Sequence, residues 1–581
     1  MKKSLALTLA ALMACGTMAL LPACNGGGGG DYDGSNFLTR EEAIEQYGNE
    51  YRIVKEQITL KIFVPRGSMN PEYSSMKMFK KLSEVTNLKF EFTEADTSSY
   101  TNLRTAAWNG DLPDFFLFAN TMAEQVNYSE LKAIYAFNDP NLEVEGVKVG
   151  SLIDNYRPTY KKLLDENFNI DTTVNAKDVV TLDNGLMYAT VAAMDVPRDL
   201  SYKMWINEEW INNINTTNSL KSQLKAQFGV EQLPMSNEVD TIEELLLVLR
   251  AFKKLDANRN GDANDEIPVS SNKMQYLRNF IMAAYGAVFE SVEISNDGST
   301  FTYTPATEAY KKYLEVAKLM YDEGLMDANT FQNQDASMAA KGYANRLGMF
   351  CAAAPYLVTG YDYDQNYKVF GPLTSDYYQG TPLHYGFSPF KASATMIPRG
   401  TPYVREVARL IDILYSELGQ QLIAYGEEGV DWTWDNEEKT SWTFNVPEDW
   451  DGTQEEYRAT ITPNVGTGAS VYWSYDFVGK MNDPIIKSLN EESERYIPYL
   501  KVPVPEEVIL AKEDYSPVSL KLTDLGKYVE MAECNFILGE KGYNITSADD
   551  WNAYINKLKG YGYEDVLARY NAALARKNAK G

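Results

Sequence analysis

Residues 57–64 read QITLKIFV, with apolar side chains at alternate positions. That is the period of a strand with one covered face. After a turn-rich PRGSMNPEY, residues 76–86 carry apolar positions at helical spacing and 88–94 alternate again. Residues 103–108 are helical, 109–113 turn, and 114–118 form a third strand. Strand, helix, strand, helix, strand predicts a parallel sheet with crossover helices. Ligand sites in such sheets lie beyond the carboxyl ends of strands. That rule places residues 65–73 and 108–114 at a potential cleft.

Further along, 182–211 holds two extended runs around Asp195 to Asp199, an Asn184-Gly185 turn and a helix start near Asn207. Pro197 marks a first crossing between two bodies of structure. Residues 304–324 form a helix stopped by Gly324, 347–353 a buried strand, and 361–378 a tyrosine-rich loop or short hairpin. Residues 392–397 read as a strand and 404–418 as a helix ended by Gly419. Residues 432–473 are irregular and aromatic, and 551–577 are two amphipathic helices around Gly560–Gly562.

The sharpest pattern is 241–267, TIEELLLVLRAFKKLDANRNGDANDEI. Ile242, Leu245, Leu246, Leu249 and Phe252 make one apolar stripe, and Thr241 with Glu244 makes a capping box. Oxygen-bearing side chains then alternate: Asp256, Asn258, Asn260, with Gly261 where a sharp turn is needed. This suits Ca²⁺, which takes six to eight oxygen ligands in flexible geometry. Asp262 adds a main-chain carbonyl. Position twelve of an EF-hand loop is here Ile267, so Asp265 or Glu266 closes the loop. The alternative is a solvated, Asx-rich turn.

Length and charge narrow the picture. A chain of 581 residues implies two or more domains. Lys2 and Lys3, an apolar run to Leu21 and then Pro22-Ala23-Cys24 form a secretory signal. The LPAC stretch resembles a bacterial lipobox with Cys24 as the lipidated, palmitate-bearing residue; Leu12 to Cys15 is a second candidate. Gly26–Gly30 is a flexible tether. A net charge of −27 excludes nucleic acid, which needs basic surface. Cys351 and Cys534 remain in the mature chain, either paired or as two free thiols.

The chemistry-bearing residues are few. With one histidine, His384, triads and His–Cys zinc sites have almost nothing to build on; its loop-like setting points to surface or packing. No phosphate-binding glycine fingerprint follows a strand. A carboxylate pair for glycoside hydrolysis is unmarked among 81 acidic residues. Forty Tyr and nine Trp are more informative, since rings stack on sugar faces. The candidate binding residues are Tyr73, Trp108, Asp114, Trp205, Tyr356, Trp432, Tyr472 and Trp473, with core packing as the competing role of each.

Taken in order, the lipobox, WNGDLPDFF at 108–116, DNGLMYA at 183–189, WINEEWINNI at 205–214, DANRNGDANDEIP at 256–268, YDEGLMD at 321–327, RLGMF at 346–350 and LIDILYSELGQQLIAYGEEGVDW at 410–432 resemble one family. It is that of the extracellular solute-binding lipoproteins of bacterial carbohydrate ABC importers, in the subgroup similar to alginate-binding and LipO-type proteins. The resemblance implies an α/β type II periplasmic-binding fold with two lobes and a hinge. Lobe 1 is expected at 51–197 plus about 346–390, and lobe 2 at about 198–345 plus 391–581 with the C-terminal helices. Residues 1–24 are signal and 25–50 tether. The resemblance also implies a structural Ca²⁺ held by Asp256, Asn258, Asn260, Asp262 and one of Asp265 and Glu266. The expected protein is a monomeric receptor without enzymatic activity, anchored by lipid at the extracellular face of the membrane. It captures an oligosaccharide and passes it to permease subunits. A secreted glycoside-active enzyme and a surface adhesion or scaffold lipoprotein are the competing classes.

Overall fold

The structure is a computed structural model. It describes residues 34–579 apart from 97, 120, 168–169, 171, 173, 272–273, 290, 333, 393–394 and 468–469. The signal, lipobox and glycine run therefore lie outside the described residues.

The opening strand–helix–strand pattern folds as its periodicity dictates. Ile58–Pro65 pairs in parallel along its length with Leu88–Ala95, and Phe115–Leu117 joins its other side. The intervening helix Lys77–Thr86 buries Met78, Phe79 and Leu82, one stripe at three- and four-residue spacing. Phe79 packs edge-on to Phe92 and Phe90. Fully burying a side chain of this size contributes about 1.5–3 kcal/mol. Asn87, with positive φ, ends the helix one residue before the next strand. Thr395–Met396 completes this first sheet, antiparallel to Phe115–Leu117.

The second sheet has the order Tyr367–Val369, Lys203–Asn207, Leu347–Ala352, Ile267–Val269. Lys203–Asn207 is antiparallel to both neighbours, and Ile267–Val269 is parallel to Leu347–Ala352. Every residue of Lys203–Asn207 is buried, as a central strand requires. The helix Ile242–Lys254 covers this sheet. Its start carries the expected reciprocal cap, Thr241 Oγ1 accepting from the Glu244 amide at 3.2 Å and the Glu244 carboxylate accepting from the Thr241 amide at 3.0 Å.

Two large cores match the two sheets. One gathers Leu60, Phe79, Phe115, Val407 and Ile411; the other gathers Trp210, Leu249, Tyr313, Phe350 and Phe536. The C-terminal helices Lys512–Leu538, Ala548–Tyr561 and Tyr563–Asn578 pack on the second, turning at Gly562 with positive φ. The expected lobe limits need correction. Residues 346–390, assigned to lobe 1, contain two strands of the second sheet. Of 391–581, assigned wholly to lobe 2, Thr395–Met396 and the helix Val404–Tyr415 belong with the first. A short buried strand such as LGMFC carries no mark of which sheet will take it.

A three-stranded sheet joins the lobes. Ala192–Met194 lies in its centre, antiparallel to Phe390–Lys391 and parallel to Tyr472–Trp473. The first two segments each lie between a strand of one large sheet and a strand of the other. Pro197, the predicted first crossing, follows Ala192–Met194 in a short 3₁₀ turn.

Two local expectations also change. Gly419 does not end a helix: the helix stops at Tyr415, Ser416 caps a new one by accepting from the Gly419 amide, and a Cβ at 419 would stand 2.2 Å from the Ile413 carbonyl. The aromatic run 432–473 contains a hairpin, Trp432–Trp434 with Trp442–Phe444, around its own small core.

Candidate functional site

A cavity of about 470 Å³ opens between the two lobes. Its walls are the carboxyl ends of strands. Pro65 ends one strand of the first sheet and Phe118 follows another; Ala353 and Ala354 follow Leu347–Ala352 of the second. Ala192, Ala193, Met194 and Trp473 of the joining sheet form its floor. Phe118 has φ +55°, a left-handed conformation that a bulky side chain rarely adopts and that clusters at ligand sites.

The polar and aromatic groups on this floor are tightly organised. The Trp473 indole N–H donates to Asp199 Oδ2 at 2.8 Å, and Arg198 Nε lies 3.6 Å from the same oxygen. Arg458 grips Glu455 with two nitrogens, Nε to Oε1 at 3.1 Å and Nη2 to Oε2 at 2.7 Å. Its third nitrogen donates to the Ala424 carbonyl and to Asn464 Oδ1 at 3.1 and 2.9 Å. The guanidinium lies over the rings of Tyr425 and Trp473, which stack at 6.3 Å and 25°. Burial opposes the charge on Arg458, but Glu455 beside it more than offsets this, and its pKa is raised. At Arg198 burial likewise opposes the charge most strongly, and Asp199 together with Tyr425 raises its pKa. Tyr356 and the half-exposed Leu357 form the mouth; Tyr356 stacks at 5.3 Å on the exposed Tyr361 and burial pushes its hydroxyl up to about 12.

Of the eight binding residues expected from sequence, Tyr356 and Trp473 line this cavity. Tyr472 neighbours it through the joining sheet, its hydroxyl 3.4 Å from Asp195 Oδ2. The other five are elsewhere. Tyr73 is fully buried against Phe79 and Phe92 with its hydroxyl on the Pro65 carbonyl. Trp108 stacks on Tyr128 at 3.8 Å, and Asp114 accepts from the Lys61 amide and Thr401 Oγ1 at 2.7 and 2.6 Å. Both precede Phe115–Leu117 and so sit at its amino end, opposite the cavity. Trp205 is buried within the second sheet with its indole on the Ala352 carbonyl. Trp432 is buried in the hairpin core with its indole on the Gly426 carbonyl. The residues missed were Arg198, Asp199, Tyr425, Glu455 and Arg458. The available signal was the crossing itself: Arg198 and Asp199 directly follow Pro197.

The oxygen-rich loop lies away from the cavity, between Ile242–Lys254 and Ile267–Val269. Asp256 accepts from the Asn260 and Gly261 amides at 3.0 and 3.1 Å, and Asn258 Oδ1 from the Asn260 amide at 3.0 Å. Asn260 Oδ1 accepts from the Asp262 amide at 2.8 Å. Gly261 has φ +93°. Glu266 is buried, one carboxylate oxygen 3.5 Å from the Asn258 amide and the other without a hydrogen-bond partner. Burial pushes its pKa up to about 7. Asp265 instead receives the Asn258 and Asn260 side-chain amides and lies 3.4 Å from Arg346. Among the described residues, no three His, Cys, Asp or Glu side chains converge as a metal cluster. The loop's donors are a mixture of amide and carboxylate oxygens. An orphaned, buried carboxylate oxygen closing a loop of such donors fits a hard cation.

His384 is buried, stacked on Tyr496 at 3.8 Å, and Cys351 and Cys534 are free thiols. No described helix is long and apolar enough to cross a membrane.

No family model matches the chain. It is 25% identical over 531 residues to the fructooligosaccharide ABC transporter substrate-binding protein FusA of Streptococcus pneumoniae, covering 89% of this chain and 90% of FusA. The solved structure of FusA with kestose superposes with a TM-score of 0.66 at 21% identity, over 90% of this chain and 100% of FusA. An extracellular solute-binding protein of Bifidobacterium longum subsp. infantis gives 0.72 at 17%, over 90% and 98%. Alginate-binding protein AlgQ2, solved without calcium ion, gives 0.63 at 18%, over 91% and 100%. FusA has also been solved as an EF-hand mutant. Two α/β lobes around a joining sheet are thus an architecture that this chain shares with all three.

Proposed function

We infer that the chain is an extracellular solute-binding protein of a carbohydrate ABC importer, a receptor and not an enzyme. Full-length relationship to a transporter's substrate-binding protein supports this, and the observation that carries it is the interlobe cavity. It lies where the ends of three strands and a joining sheet meet, within the ~300–1,000 Å³ usual for small-ligand sites. Its floor combines stacked rings with fixed hydrogen-bonding groups, the combination that an oligosaccharide needs: ring faces for C–H surfaces and polar atoms for hydroxyls. A fructose-containing oligosaccharide is the first ligand to try, by analogy with FusA.

Capture works by population shift. Ligand touching both lobes favours the closed arrangement by its differential contacts, and the closed lobes present the surface read by the permease. Cys24, acylated after signal cleavage, tethers the receptor to the membrane through the glycine run. Asp256, Asn258, Asn260 and Glu266 supply side-chain oxygens, and Asp262 a carbonyl, to a structural Ca²⁺. Glu266 is favoured over Asp265 because Asp265 already has amide and arginine partners.

Thermal shift against neutral oligosaccharides, with chromatography of the incubated sugars, tests the receptor role. A stabilising sugar recovered intact supports it; turnover of that sugar overturns it. Anchoring is tested separately: a Cys24→Ala variant should appear in the culture medium, and its retention on cells would refute the lipid tether.

A further inference from the structure

The floor of the cavity holds two carboxylates of unusual construction. Asp199 and Glu455 are the accessible members of their pairs, with side chains 38% and 43% exposed. Each is backed by a nearly buried guanidinium, Arg198 at 11% and Arg458 at 9%. The buried cations are themselves held from behind: Arg458 by the Ala424 carbonyl and Asn464, Arg198 beside Tyr425. The Trp473 indole fixes one oxygen of Asp199. What faces the cavity is therefore a pair of oriented acceptors, with their counter-charges set into the wall.

We propose that Asp199 and Glu455 are the specificity-determining residues of this receptor, accepting hydrogen bonds from hydroxyl groups of a neutral sugar and excluding sugars that carry carboxylates. The inference rests on the receptor reading and narrows its substrate class. A carboxylate accepts from hydroxyl donors at roughly twice the strength of a neutral acceptor, so it discriminates in favour of polyols. A uronate unit would bring a like charge against Asp199 and Glu455 in a partly dehydrated site, where repulsion is weakly screened. A third cation, Lys391, also lines the wall; its nearby counter-charge is Glu506, whose pKa is raised by burial and lowered in part by Lys391. Tyr356 and the exposed Leu357 at the mouth supply the apolar surface against which a sugar ring lies, above the buried Tyr425–Trp473 stack. Arg198 and Arg458 are positioning residues: they orient the carboxylates and need not touch ligand.

The test uses the mature protein with four trisaccharide or tetrasaccharide probes: kestose, nystose, maltotriose and an alginate trisaccharide. Calorimetric affinity and melting temperature are measured for wild type, Asp199→Asn and Glu455→Gln. The expected result is binding of at least one neutral probe and none of the alginate trisaccharide. Each variant should bind that neutral probe ~10-fold or more weakly, the loss expected when a hydrogen bond to a charged group is downgraded. The ligand-free melting temperatures should fall, since Arg198 and Arg458 keep only amide oxygens in place of their charge partners, so affinities are compared well below each variant's own transition. Alginate binding equal to or tighter than the best neutral probe overturns the proposal while leaving the receptor reading intact. So does unchanged neutral-sugar affinity in both variants. Failure of all four probes, and of a wider neutral and acidic panel, overturns the receptor reading together with this inference.

Discussion

The single histidine offers a quantitative check on the packing of the second lobe. His384 lies 3% exposed between Tyr496, stacked at 3.8 Å, and the edge of Phe280, and its Nε2–H donates to the Tyr202 carbonyl at 2.8 Å. Burial, with a smaller push from the nearby Lys203 cation, lowers its pKa from 6.5 to about 4, against a modest opposing pull from the carbonyl. The folded state therefore binds fewer protons than the unfolded chain between pH 6.5 and 4. Stability is untouched above pH 6.5 and falls as pH drops through that window. At 1.36 kcal/mol per unit the full penalty approaches ~3 kcal/mol, and at pH 5 it is roughly 2 kcal/mol. Other groups act in the opposite sense: Asp195, Glu293 and Glu506 have raised pKa values through burial and gain stability on acidification. The informative quantity is thus the difference between wild type and His384→Gln, which keeps a donor for Tyr202. Urea midpoints at pH 7.5 and 5.0 should show wild type losing about 2 kcal/mol relative to the variant. Selective labelling of the one imidazole should give no titration near 6.5. Parallel pH dependence of the two proteins, or an imidazole that titrates above pH 6, would refute the buried, neutral assignment.

Three further outcomes are expected. Chelation of Ca²⁺ should lower the melting temperature and Ca²⁺ should restore it, by about 2.7 kcal/mol at a hundredfold excess over Kd; Asp256→Ala should lose that response, and a retained response would remove the site. Glu533→Gln should cost about 3–5 kcal/mol in denaturant titration. It leaves Arg278, 6% exposed and held by Glu533 at 2.8 and 2.5 Å, without its charge partner; a loss below 1 kcal/mol would contradict that account. Trp473→Phe keeps a ring on the cavity floor but deletes the indole donor to Asp199. Sugar affinity should fall several-fold with the melting temperature little changed, and undiminished affinity would show that Asp199 needs no such restraint.

Local periodicity carried the first sheet and several amphipathic helices because those elements are decided by neighbours within a few residues; the longest helix, Lys512–Leu538, was not among the expected elements. The helix at Lys77–Thr86 and the capped helix at Ile242–Lys254 begin within a residue of their expected starts. The oxygen-rich loop was legible for the same reason, since its donors follow one another along the chain. Sheet membership was not. Leu347–Ala352 pairs with Lys203–Asn207 across some 150 residues, and nothing in five buried apolar residues selects that partner. The aromatic candidates failed for a related reason. Trp205, Trp432 and Trp473 all lie in strands and are all buried, and only the last belongs to the sheet beneath the cavity, so residue type alone could not separate core from cavity. The error at Trp108 and Asp114 was one of direction: both precede their strand, and the ligand end is the one after it.

The position of the acceptors bears on how closure is driven. Asp199 and Trp473 lie 274 residues apart and meet beside the joining sheet, one following its central strand and the other within its outer strand. Pro65, Phe118 and Ala353 are carried by the lobes proper. A ligand seated on the floor is therefore fixed to the hinge before either wall reaches it. Binding to the floor alone has equal strength in open and closed forms and shifts nothing. Only contacts added by the walls differ between the two states, so closure free energy should come from Phe118, Tyr356 and Leu357 and initial affinity from Asp199, Glu455 and Trp473. Substitutions in the first set should weaken binding while leaving the association rate near wild type; those in the second should weaken the encounter complex itself. That separation follows from placing Asp199 and Trp473 beside the joining sheet, with Glu455 brought to them from the separate helix Gln454–Ala459, which is also why no single stretch of sequence announced them.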